Sequence, residues 1–277
     1  MTDKPPHVSK PCFALPDYRL LALTGADAIG FAQSQFMNDV TALADGQLQW
    51  NGWLNAKGRV IALFALLRLD AQTLWLLLPD ADPESLATAL ARFVFRSKVK
   101  LNPRPDLHVA GMLPHTARHE ESANLSLQRD DDHVLLPWPG ARQVIIASQP
   151  APLDEAAHTA WRAADLESGL PRLAPDQIEK WTPQQLSLHR LRAYSVKKGC
   201  YPGQEIVART HFLGQAKRGL RLLRTATPAA SGDVLMHGER NVGEIVSTCG
   251  ILALAVLPQE AEAVALTLNQ QAVEVLL

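Results

Sequence analysis

The sequence predicts an α+β protein with mostly antiparallel sheets, ending in a small antiparallel barrel or sandwich. Three observations lead there. Apolar runs of strand length and amphipathic helical segments occur without the strand–helix–strand alternation of a parallel sheet. From Arg218 onward, short β-prone runs follow one another between turn residues. The chain has 277 residues, 47% of them hydrophobic and 20% charged, which is enough for a sizeable core and more than one minimal domain needs.

The elements follow in order. Residues 1–11 hold three prolines and little apolar content and read as a disordered lead-in. Residues 19–24 read as a strand. Asp27 reads as an N-cap, with Ile29, Ala32 and Phe36 at helical spacing behind it. Asn55-Ala-Lys-Gly58 is a turn signal. Residues 59–69 are apolar at both parities, as in a strand buried on both faces, and 73–78 form another strand. Asp82-Pro83-Glu84 combines a cap, a proline at the first helical position and an acid in the first turn; Leu86, Leu90 and Phe93 then line one face. Residues 102–105 break the chain, and strands follow at 108–113, 133–138 and 143–147. Asp154 caps a second helix, with Ala157, Ala160, Trp161 and Ala164 on one side and Gly169-Leu-Pro171 ending it. A third helix is expected over 184–193. Runs at 219–224, 242–247, 251–256, 263–268 and 272–276 complete the β-rich end. The division is therefore 1–11, a main region 12–217 and a barrel 218–277.

Lys and Arg total 27 against 28 Asp and Glu, a formal net charge of -1. Strong nonspecific nucleic-acid binding normally needs a basic excess, so it is disfavoured, although a local basic patch is compatible with this balance. Cys12, Cys200 and Cys249 are odd in number and scattered, which argues against a disulfide framework and fits a reducing cytosol. There is no CxxC, and no metal site is expected from this chain alone. The N-terminal residues lack an apolar core, and the longest apolar stretch, 60–67, is too short to span a bilayer. A cytoplasmic protein with no membrane association is expected.

The most unusual segment is Lys197-Lys198-Gly199-Cys200-Tyr201-Pro202-Gly203-Gln204-Glu205. Adjacent positive charge favours a thiolate, the form that attacks, ligates metal or is oxidised. The flanking glycines permit unusual backbone conformations and close approaches. On composition alone, a reactive thiol on a shaped loop and a turn with an incidental small core residue are equally compatible.

Lys198-Gly-Cys-Tyr-Pro-Gly-Gln-Glu205 resembles the signature of the YgfZ-type folate-binding proteins, relatives of the T-protein (aminomethyltransferase) of the glycine cleavage system. Further blocks resemble that family in order along nearly the whole chain: Leu23-Thr-Gly-Ala-Asp27, Gln33 to Val40, Asn55 to Arg59, Phe95-Arg-Ser-Lys-Val99, Leu166 to Pro171, Thr182-Pro-Gln184 and Val242 to Ser247. The resemblance implies a T-protein-like ring of two intertwined α+β lobes plus the C-terminal barrel, with a central folate-binding channel. It implies tetrahydrofolate (or a derivative) as cofactor. It also implies a supporting role for iron–sulfur enzymes or their assembly factors, including enzymes that modify tRNA, with the link to tRNA indirect.

Residue by residue, the resemblance places Glu167 where the family's glutamate holds the pterin, and a carboxylate can accept two hydrogen bonds from an aminopyrimidine edge. Trp161 and Tyr18 fall where aromatic residues are associated with the folate. Cys200 is the expected functional thiol, with Lys198, Gly199, Tyr201, Gly203, Gln204 and Glu205 supporting its loop. Two departures stand out. Leu86 occupies the place of the acid that serves methylene transfer in T-proteins, so an accessory protein without independent catalysis is the first reading; a folate-dependent one-carbon transferase or demethylase is the alternative. Ser187 stands where relatives often carry Asn.

Overall fold

A computed structural model describes residues 12–114, 126–130, 132–214, 216–260 and 265–276. The expected lead-in, 1–11, lies outside these residues.

Two five-stranded antiparallel sheets share the main region. The chain enters the first sheet with β1 (Phe13–Ala14), then leaves to build the second. That sheet has β2 (Arg19–Thr24), β3 (Gln47–Leu54), β4 (Val60–Asp70), β5 (Thr73–Leu78) and β6 (Lys100–Pro103), in the order β3-β4-β5-β2-β6. The chain then returns to complete the first with β7 (His108–Met112), β8 (Gln128–Arg129), β9 (His133–Trp138) and β10 (Arg142–Ala147), in the order β1-β7-β10-β9-β8. This out-and-back path is what intertwines the lobes. Strand β4 runs through the interior of its sheet, which is why its apolar residues occupy both parities.

Helix α1 (Ala28–Gln35) buries Ala28, Phe31 and Ala32. Asp27 precedes it but caps none of its amides; its carboxylate instead accepts a hydrogen bond from Lys98 N at 2.6 Å. Helix α2 (Pro83–Ala91) is capped by Asp82, which accepts from Ser85 N, and buries Leu86 and Leu90. Phe93 lies beyond the end of α2 and is 47% exposed, so it is not the third member of that face. The expected break at 102–105 is in part strand β6, where Pro103 is tolerated because β6 is an edge. Helix α3 (Glu155–Glu167) is capped by Asp154, which accepts from Ala157 N.

The expected helix at 184–193 is a chain of hydrogen-bonded turns instead. Ser187 and Arg192 both adopt φ of 51°, a left-handed conformation that stops helix propagation. Helix α4 (Gln204–Leu213) begins inside the cysteine motif, behind Gly203. Six strands then close the C-terminal barrel in the order β11-β14-β13-β12-β15-β16: β11 (Arg218–Arg224), β12 (Val234–His237), β13 (Arg240–Cys249), β14 (Leu252–Pro258), β15 (Leu266–Leu268) and β16 (Gln271–Val275). A closed barrel leaves no open sheet edge. One apolar cluster, from Phe13 through Trp161 to Leu220 and Val256, joins both lobes to the barrel. Among the described residues, no helix is long and apolar enough to cross a membrane.

Candidate functional site

Cys200 is exposed, at the tip of a loop held by buried anchors. Lys198 points inward, and its ammonium donates to Gln33 O and Phe36 O at 2.6 Å and to Asn38 O at 3.0 Å. All three of its protons are used, and they tie the loop to the end of α1. Burial pulls the pKa of Lys198 down to about 8, with the Asp39 carboxylate opposing. Lys198 is thus an anchor turned away from solvent, while Lys197 is the exposed lysine of the pair. The ring of Tyr201 packs under the ammonium at 4.9 Å, and its hydroxyl donates to Ser195 O; burial, then the neighbouring Tyr194, raises its pKa. Gln204 donates its side-chain amide to Lys198 O at 3.0 Å, closing the loop from the far side. Gly203 is required: its φ is 77°, and a Cβ there would lie 2.6 Å from Asn55 O. The Asn55–Gly58 turn and the cysteine loop therefore touch backbone to backbone. A Cβ on Gly199 would meet nothing within 4 Å, and Glu205 is exposed in the first turn of α4.

Trp161 and Tyr18 occupy the interior. Trp161 is 0% exposed and donates its indole N–H to the Tyr18 hydroxyl at 3.1 Å. Trp138 stacks on Trp161, while Phe13 and Tyr18 meet it edge-on. The rings expected to meet the folate, Trp161 and Tyr18, are thus both buried and packed against other aromatic side chains.

Beneath these rings lies a charge cluster that sequence reasoning passed over. Asp165, fully buried, accepts from Tyr18 OH at 2.8 Å, Trp138 Nε1 at 3.1 Å, Arg142 Nη2 at 2.8 Å and Arg172 Nη1 at 3.4 Å. Arg172 also pairs with Asp80 at 2.7 Å. Burial, then the Asp165 charge, holds the Tyr18 phenol well above its ordinary pKa. The signal was present: Asp165 lies four residues after Trp161 on the same face of α3, and a buried Asp requires partners.

Glu167, two residues on, is exposed at the last position of α3. The turn after it approaches a cavity, since a Cβ on Gly169 would lie 3.9 Å from Arg190 Nη1. That cavity, of about 660 Å³, lies between the 184–194 turns, α4 and strand β11 of the barrel. Arg190, Arg218 and Arg221 line it together with His189, Tyr194 and His211, and no carboxylate is among its lining residues. Burial, then the Arg190 charge, lowers the pKa of His189. Gln184 is buried in the wall; its amide donates to Val207 O, while its Oε1 has no partner. Ser187 also lines the cavity and, despite its left-handed backbone, accepts from Leu220 N at 2.9 Å, pinning the turns to the barrel. The cavity's position was hidden from the sequence because it depends on how the turns, α4 and β11 fold back on one another and on Gln259, just after β14 of the barrel. Leu86 is buried in the core. Among the described residues, no group of three or more His, Cys, Asp or Glu side chains is placed to hold a metal ion.

No protein-family model matches the sequence. The chain is 30% identical over 251 residues to the tRNA-modifying protein YgfZ of Cronobacter sakazakii, covering 82% of this chain and 76% of the relative. It is 29% identical over 276 residues to the tRNA-modifying protein YgfZ of Aliivibrio fischeri, covering 89% and 84%. Among solved structures, the glycine cleavage system aminomethyltransferase T of Bartonella henselae superposes with a TM-score of 0.75 at 16% identity, covering 96% of this chain and 84% of that one. This last likeness is one of fold: α+β lobes followed by the six-stranded barrel.

Proposed function

The chain belongs to the YgfZ family of tRNA-modifying proteins, and from that premise we propose that it acts as a tetrahydrofolate-binding accessory protein. It supports assembly or maintenance of iron–sulfur enzymes, those of tRNA modification among them, with Cys200 as its functional thiol. The observation that carries this reading is the cavity between the 184–194 turns, the last turn of α4 and strand β11. Its volume of about 660 Å³ is within the range of small-molecule sites. Its guanidiniums suit the carboxylates of a glutamate tail. The unpartnered Gln184 Oε1 offers an acceptor to a ring or amide N–H. These residues fit a folate: Arg190 and Arg218 would hold the tail, Gln184 a polar N–H, and Glu167 would stand at the rim. Bound there, the folate would supply one-carbon or redox chemistry.

The cavity and the thiol share supports. Tyr194 lines the cavity and precedes Ser195, whose carbonyl accepts from Tyr201; Thr210 and His211 line it from α4, which starts four residues after Cys200. One thiolate does not complete a cluster's ligand set, so Cys200 acts together with ligands from a client.

Calorimetric titration with tetrahydrofolate tests the first half. Binding to the wild type, weakened at least tenfold in Arg190→Ala and measurably in Glu167→Ala, is expected; no heat with the wild type removes the folate. Complementation of a knockout tests the second half. Cys200→Ala is expected to leave iron–sulfur-dependent tRNA modification unrestored, and full rescue removes the thiol.

A further inference from the structure

Two of the sequence blocks, Leu23-Thr-Gly-Ala-Asp27 and Phe95-Arg-Ser-Lys-Val99, have no part in the folate reading, and the structure brings them together. Gly25, at φ of 132°, lets the backbone of Lys98 approach so closely that any Cβ would collide with the Lys98 carbonyl. Asp27 accepts from Lys98 N at 2.6 Å, and Val99 is buried in the core. At the other end, Phe93 N and Val94 N donate to Leu90 O and Ala91 O of α2. The segment between is thus fixed at both ends, yet it carries Phe95 at 86% exposure and Phe93 at 47%.

Four cations lie on the same stretch of chain as these rings. Arg92, Arg96, Lys98 and Lys100 are exposed, and among the described residues none of them is in an ion pair. The Arg96 guanidinium lies 5.3 Å from the centre of the Phe95 ring. Residues 92–100 contain no acid, and Asp27 meets the segment by accepting the Lys98 N–H through one carboxylate oxygen. A large apolar ring kept in water by a fixed backbone, on a segment that carries four exposed cations outside any ion pair, complements a polyanion with exposed π-faces. The Phe93 ring packs edge-on against Trp53, Trp53 pairs with Phe36, and Phe36 O receives the Lys198 ammonium, so the patch is structurally continuous with the cysteine loop.

We propose that the 92–100 segment is a contact site for unpaired RNA bases, with Phe95 and Phe93 as stacking surfaces and Arg92, Arg96, Lys98 and Lys100 meeting phosphates. The near-neutral net charge allows this because the basic excess is local. The site goes beyond the folate reading and does not depend on it.

Fluorescence anisotropy with a labelled, unstructured RNA oligonucleotide and with an RNA duplex of equal length is the test, using the full-length protein. The single strand is expected to bind more tightly than the duplex. Phe95→Ala is expected to weaken it at least tenfold, with thermal unfolding unchanged because the ring is exposed. Arg92→Ser with Arg96→Ser is expected to lower the slope of log affinity against log salt by about 1.4, some 0.7 for each lost phosphate contact. Equal affinity of wild type and Phe95→Ala, equal binding of duplex and single strand, or an unchanged salt slope overturns the proposal; the first of these results would reassign the exposed rings to a protein partner.

Discussion

Asp165 is a carboxylate with no exposed surface, and two guanidiniums, a phenol and an indole donate to it. Removing one member of a buried charge cluster leaves the others uncompensated, which typically costs about 3–5 kcal/mol. Asp165→Ala is therefore expected to lose stability on that scale in urea unfolding; a loss below about 1 kcal/mol would show that the cluster is not integral to the core. Lys198 makes a prediction of opposite character. Its pKa of about 8 lies below the value of the unfolded chain. Between pH 8 and about 10.4, the unfolded state holds this proton and the folded state does not, so the contribution of this group to stability rises with pH. The cost of burying its charge is fully present below pH 8. The difference in unfolding free energy between wild type and Lys198→Met is expected to shift toward the wild type across that window; a flat difference would mean the ammonium keeps its ordinary proton affinity.

At the scale of elements, the cysteine loop is defined by its contact with the Asn55–Gly58 turn. Gly203→Ala would place a Cβ 2.6 Å from Asn55 O at a φ of 77°, and a cost of about 1–3 kcal/mol is expected. Gly199→Ala meets open space and is expected to change stability by less than about 0.5 kcal/mol. Equal effects at the two glycines, measured by thermal unfolding, would contradict this picture of the loop. The same contrast shows what was legible beforehand. The helix starts at Asp82 and Asp154 could be read because capping is local chemistry, and both carboxylates do accept the expected amide hydrogen bonds. Asp27 looked identical in sequence but spends its carboxylate on Lys98, 71 residues away. The 184–193 segment has helical spacing, yet Ser187 and Arg192 are left-handed, and both make tertiary contacts that spacing does not show: Ser187 accepts from Leu220 N of the barrel, and Arg192 O accepts from the Asn38 amide. Strand β3 went unread because Asn51 and Gly52 dilute its apolar run; in the structure, Asn51 is buried and its Oδ1 accepts from Asn38 N and Gly52 N.

At the scale of the whole molecule, the barrel was legible as a rhythm of short apolar runs, and the family as an ordered series of blocks. The position of the arginine-lined cavity was not. Arg190, Arg218 and Gln184 are unremarkable in sequence and become a cationic pocket only when the turns, α4 and β11 come together. Glu167 remains at the helix end near that pocket, whereas Trp161 and Tyr18 belong to the core. If the guanidiniums hold a folate, most of the recognition lies in the ligand's carboxylates rather than in stacking on those rings. Parallel calorimetric titrations of the wild type with tetrahydrofolate and with a tetrahydropterin lacking the aminobenzoylglutamate tail decide this most directly. Tight binding of tetrahydrofolate and at least tenfold weaker binding of the tail-less pterin is the predicted result; equal affinities, or no binding of tetrahydrofolate, would contradict the account.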